Sequence, residues 1–92
     1  MKNIGFIGCG NMGSAMLEGI MQAGVADGSH IYVANQHPEK LANLERRYGI
    51  ISANNETVAR NSDVLFLAVK PYMYEPIIEK IRDVIQPSCI VV

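Results

Sequence analysis

Two periodicities take turns along this chain. Lys2 to Ile7 (KNIGFI) is a short apolar run with β-branched and aromatic members, long enough for a strand and too short for a helix. Ala15, Met16, Gly19, Ile20 and Ala23 then recur at helical spacing, and Gly24 stands where a helix C-cap belongs. His30 to Ala34 (HIYVA) predicts a second strand. Pro38 opens a segment in which Leu41, Leu44 and Tyr48 share one helical face before Gly49 ends it.

The second half repeats the alternation. Gly49 to Ser52 supplies a brief third strand, and Glu56 to Asn61 is at most a short helix. Asp63 to Val69 (DVLFLAV) is nearly all apolar, as expected of a strand covered on both faces in a parallel sheet, and Pro71 stops it. Pro76 suits the first turn of a helix whose buried face would be Ile77, Ile78, Ile81, Val84 and Ile85, with Glu79, Lys80, Arg82 and Asp83 on the wet side. Cys89 to Val92 reads as a fifth strand.

Strands and helices alternating over short connections imply a mostly parallel sheet wrapped by helices, an α/β fold of three layers, αβα. The chain stops inside an apolar strand, whereas domain ends fall in exposed polar linkers, so the sequence reads as the front portion of something longer.

Composition narrows the function classes. The 92 residues hold one small domain, 49% of them are apolar and the formal net charge is -1, which describes a globular protein without the basic excess of a nucleic-acid binder. No apolar stretch reaches the ~20 residues that cross a bilayer, and no signal peptide precedes the first strand, so the cytoplasm is the expected compartment. Cys9 and Cys89 form neither a C-x-x-C pair nor a zinc-type arrangement with His, and both are expected to be reduced, buried small residues.

The chemistry concentrates after the first strand, in Gly5 to Met16 (GFIGCGNMGSAM). Gly8, Gly10 and Gly13 have the G-x-G-x-x-G spacing, a weak signal alone and a stronger one between a strand and a helix. In that context the doubly wound, Rossmann-type dinucleotide fold assigns each glycine a task. Gly8 permits the tight turn, Gly10 lets the backbone approach a pyrophosphate, and Gly13 allows close packing of helix on strand. The N–H groups of the first helical turn, around Asn11 to Ser14, would then face the phosphates, aided by the helix dipole. Met16 and Met21 are packing residues, and Met12 alone of the three is expected to touch a cofactor.

At the end of the second strand, Asn35 stands where an acid would bind the ribose 2′-hydroxyl of NAD. Asn35, Gln36 and the N–H groups of the helix opened by Pro38 can hold a 2′-phosphate instead, which favours NADP (NADPH) over NAD. His37 is a solvated loop residue or a phosphate ligand. Lys70 follows the fourth strand at its carboxyl end, where open α/β sheets place ligands, so it belongs near the cofactor or an anionic substrate.

Three segments together, Gly5 to Gly13, Asn54-Asn-Glu-Thr-Val58 and Asp63 to Pro71 with its Ala-Val-Lys-Pro ending, resemble pyrroline-5-carboxylate reductases over essentially the entire chain. The resemblance implies NAD(P)H-dependent reduction of 1-pyrroline-5-carboxylate, a small imino acid, to proline, the last step of proline biosynthesis. It further implies that Ile7, Gly8, Cys9, Gly10, Asn11 and Met12 line the pyrophosphate and that Asn35 and Gln36 approach the adenosine ribose or its phosphate. Asn54 would contact the cofactor, and Ala68, Val69, Lys70 and Pro71 would lie along the ribose and nicotinamide. Residues 1–92 would then be the dinucleotide-binding domain. A second, helical domain, absent from this sequence, would form the homo-oligomer and much of the substrate pocket.

Other NADP-linked members of this broad group, an F420-dependent NADP reductase or a relative of 6-phosphogluconate dehydrogenase, share the glycine turn, though Lys70-Pro71 fits them less well. A non-catalytic dinucleotide-binding module is the alternative outside enzymes.

Overall fold

The computed structural model describes residues 2–8 and 11–92, with the backbone alone for residues 11 and 12. Five strands, β1 (Ile4–Ile7), β2 (Ile31–Ala34), β3 (Ile51–Ser52), β4 (Val64–Leu67) and β5 (Ile90–Val91), form one sheet in the order β3-β2-β1-β4-β5. Every pairing is parallel, with Ile4 opposite both Ile31 and Val64 and Phe6 opposite both Val33 and Phe66. Four helices connect them: α1 (Asn11–Ala23), α2 (Pro38–Tyr48), α3 (Asn55–Asn61) and α4 (Tyr74–Ile81).

Strand side chains alternate between two faces, and each face acquires its own core. Phe6, Ile31 and Val33 pack with Leu17 of α1 and Leu44 of α2 on one side. Ile7, Ala34 and Leu65 pack with Val58 and Ala59 of α3 and Ile77 and Ile81 of α4 on the other. The result is the three-layer, Rossmann-like arrangement expected. Phe6 and Phe66 stack across β1 and β4 with ring centroids 5.1 Å apart, and the full burial of Phe6 is worth roughly 1.5–3 kcal/mol.

β1 also contains a position with no room for a side chain. A Cβ on Gly5 would collide with Ser62 Oγ and lie 2.8 Å from Val58 Cγ1, so α3 and the residue after it rest directly on the strand backbone. Ser62 is fully buried and satisfied, its hydroxyl donating to the Val58 carbonyl at 2.6 Å.

Helix ends follow the sequence signals. Pro38 occupies the first turn of α2, and the Gly49 N–H donates to the Glu45 carbonyl at 2.8 Å to close it. At the end of α1, Gly24 N–H donates to Met21 O and Val25 N–H to Ile20 O, the paired bonds of a Schellman cap. Pro76 falls in the first turn of α4, where no intrahelical acceptor awaits its missing N–H.

Several details differ from expectation. The centre of the α1 stripe is fully buried Leu17; Met16 and Ile20 flank it half-buried, whereas Ala15, Gly19 and Ala23 face outward. On α4, Ile78 is 44% exposed because it lies about 100° around the helix from Ile77, and Val84 and Ile85 are half-buried in turns beyond the helix end. Strands β3, β4 and β5 are shorter than their apolar runs, and α3 begins at Asn55. Gly28–His30 forms a 3-10 turn with no signal in the hydrophobic pattern. Cys89 is free but only half-buried, and its thiol is pushed up by desolvation and by the Asp63 carboxylate. Cys9 lies outside the described residues.

Candidate functional site

Because all five strands run the same way, their carboxyl ends gather along one edge of the sheet. The connections lead from β1 toward β2 and β3 on one side and return to β4 and β5 on the other, so the switch point falls between β1 and β4. Ligands in open α/β sheets bind there. Backbone bonds tie the strand ends together: Gly8 N–H donates to Ala34 O at 2.7 Å, Ala68 N–H to Ile7 O at 2.9 Å, and Ala53 N–H to Val33 O at 3.0 Å.

Gly8 stands at the mouth of this junction with φ +81°, a left-handed conformation that side-chain-bearing residues rarely adopt. A Cβ there would come within 2.5 Å of Val69 Cγ1 and 2.6 Å of the Ala68 carbonyl oxygen. The first turn of α1, the next described element, contains no acidic residue. Its leading N–H groups have no intrahelical acceptor and carry the positive end of the helix dipole, an arrangement suited to an anion. Gly13, in that first turn, is buried.

A cleft of about 840 Å³ opens over the strand ends. Ile7, Gly8, Asn35, Gln36, Asn54 and Ala68 line it, and Val69 and Lys70 continue the wall. The structure thus brings together eight of the fourteen residues that the sequence nominated. Pro71 does not line the cleft; it opens a 3-10 turn at Pro71–Met73. Cys9 and Gly10 lie outside the described residues, and Asn11 and Met12 are described only as the start of α1.

Asn54 has a definite local task. Its Oδ1 accepts the Thr57 N–H at 2.8 Å and so caps α3, which leaves its Nδ2 amide without a partner among the described residues. A side chain that reads as a plain polar loop residue therefore both starts a helix and faces the cleft.

Sequence reasoning passed over several lining residues. Lys40, in the first turn of α2, and Lys80, near the end of α4, both reach the cleft, and with Lys70 they make three lysines against one carboxylate, Glu56. Met73, Pro76 and Ile77 supply an apolar wall from the α4 side. The available signal was the helical spacing of residues 73, 76, 77 and 80, which share one face. Among the described residues no group of His, Cys, Asp and Glu could hold a metal ion, and no helix is long and apolar enough to cross a membrane.

The chain is similar to pyrroline-5-carboxylate reductase of Escherichia coli strain K12, with 38% identity over 92 residues that cover 99% of this chain and 34% of that protein. Among solved structures, a pyrroline-5-carboxylate reductase from Coxiella burnetii superposes with a TM-score of 0.89 at 33% identity, over 98% of this chain and 34% of the other. Plasmodium falciparum pyrroline carboxylate reductase, solved with NADP bound, shares the fold with a TM-score of 0.80 at 24% identity, over 98% of this chain and 32% of that one. The chain thus spans about a third of the length of these relatives. A family profile described as "NADP oxidoreductase coenzyme F420-dependent" matches residues 3–92, which take in the whole sheet and every helix around it, and to that family this chain belongs.

Proposed function

We propose that this chain is the dinucleotide-binding domain of an NADPH-dependent pyrroline-5-carboxylate reductase, which reduces a cyclic imino acid to proline. One observation carries the reading: at the sheet's switch point Gly8 lies so close to Val69 and the Ala68 carbonyl that it admits no Cβ, and the first turn of α1 contains no carboxylate. Residues 7–13 would lie against the diphosphate, Asn35 and Gln36 against the adenosine ribose, Asn54 beside it, and Ala68, Val69 and Lys70 along the nicotinamide half. The choice of substrate is supported by similarity to the Escherichia coli and Coxiella burnetii reductases along nearly the whole chain.

NADPH, when bound, supplies the hydride. This chain's own work is positional. The ends of β1 and β4 fix the ring side of the cleft so that a substrate carbon can be brought to within roughly 3 to 3.5 Å. The loop after β2 contains no carboxylate to repel a 2′-phosphate, which favours NADPH over NADH. Substrate contacts and assembly into an oligomer are assigned to a second, helical domain.

The description of the family profile favours a second reading, a hydride exchange between NADP and coenzyme F420. An assay of the full-length protein separates the two. The first reading expects pyrroline-5-carboxylate to oxidise NADPH with equimolar formation of proline. Inertness toward that imine, with NADPH oxidation driven by oxidised F420, would establish the second.

A further inference from the structure

The β2–α2 loop has a chemical shortfall. Asn35 and Gln36 can donate hydrogen bonds to a phosphate but bring no charge, and the loop contains no arginine. Two cations reach the same cleft from opposite faces of the sheet. Lys40 projects from the first turn of α2, on the layer that packs against Phe6 and Val33, and Lys80 from α4, on the layer that packs against Ile7 and Leu65. Neither is within ion-pair distance of a carboxylate among the described residues.

Lys80 is more than a solvated lysine at a helix end. It follows Pro76 by four residues and Ile77 by three, so the three side chains share a face of α4, and all three line the cleft together with Met73. That face is apolar near the strand ends and cationic at its far end. An aromatic base resting on the apolar part would bring its attached ribose toward the charged part, and the flexible four-carbon stem of lysine allows the ammonium to follow. Lys70, at the switch-point end of the cleft, is left for the portion that all nicotinamide dinucleotides share.

We propose that Lys40 and Lys80 together form the subsite for the adenosine 2′-phosphate, one from each layer, with Lys80 as a specificity-determining residue outside the β2–α2 loop. The inference rests on the dinucleotide reading above. Its test is calorimetric titration of the full-length protein with NADPH, NADH, adenosine 2′,5′-bisphosphate and AMP, for the wild type, Lys40→Gln and Lys80→Gln. Each substitution should raise Kd for the two 2′-phosphorylated ligands about tenfold. Kd for NADH and AMP should stay within about twofold, the usual range for an exposed substitution. An unchanged NADPH affinity in Lys80→Gln, or an equal loss for NADPH and NADH, would overturn the proposal while leaving the dinucleotide site standing. A wild-type protein that binds neither dinucleotide would remove the site itself.

Discussion

Gly8 and Val69 approach each other so closely that a Cβ on the glycine would lie 2.5 Å from Val69 Cγ1. The contact joins the turn after β1 to the residue pair after β4, and the φ of +81° makes it doubly intolerant of a side chain. Gly8→Ala should therefore cost about 2 kcal/mol or more, from left-handed strain together with overpacking. Gly19→Ala is the control: it lies inside α1 with nothing near its Cβ position and should stabilise by about 0.5–1 kcal/mol. Urea unfolding of both variants checks the pair, and equal midpoints would refute the account of the turn.

Lys70 is exposed, caps no helix with its side chain and lines the cleft. Lys70→Ala should leave the unfolding midpoint within experimental error of the wild type and weaken NADPH and NADH alike, by roughly three- to tenfold, as befits the loss of one partly solvated charge. Unaltered affinity for both dinucleotides would reduce Lys70 to a solvated strand end.

Asn54 allows fold and ligand binding to be separated at one position. Asn54→Ala removes the acceptor for Thr57 N–H and should cost about 1 kcal/mol. Asn54→Ser restores a capping oxygen without the amide donors. Its thermal midpoint should recover while dinucleotide affinity stays low. Recovery of both would show that the amide does not touch the ligand.

An acid-sensitive contact lies far from the cleft. Asp27 Oδ1 accepts Ser29 Oγ at 2.5 Å and lies 2.9 Å from His30 Nδ1, and these two bonds hold its carboxyl below the ordinary value of 3.8. A carboxylate with a lowered folded-state value contributes stability above its unfolded value and loses that contribution as pH falls through the folded one. Asp27→Ala should therefore be less stable than wild type at neutral pH, with the gap closing below about pH 4. A gap that stays constant down to pH 2 would mean that the carboxylate has no part in it.

How well the sequence foretold the molecule depended on the range of the interaction. The limits of α2 were readable because Pro38 and Gly49 act on their own backbone, and the special conformation of Gly8 because the strand before it and the helix after it are near neighbours. Leu17 was missed because the small residues at 15, 19 and 23 mimic a helical stripe whose true centre is one large side chain. Ile78 was placed inside because composition cannot say which arc of a helix meets a sheet. Lys40 and Lys80 were passed over for a longer-range reason. They line one cleft only after the crossovers have placed α2 and α4 on the two faces of the sheet beside it.

The bare backbone at Gly5 gives α3 a fulcrum. Ser62 and Val58 rest on it near the carboxyl end of the helix, and Asn54 heads the opposite end, at the cleft. A wedge as small as a methyl group under that fulcrum would tilt the short rod and swing its head. Drift in the affinity of this domain can thus begin deep beneath the sheet surface, at a strand residue no ligand ever meets.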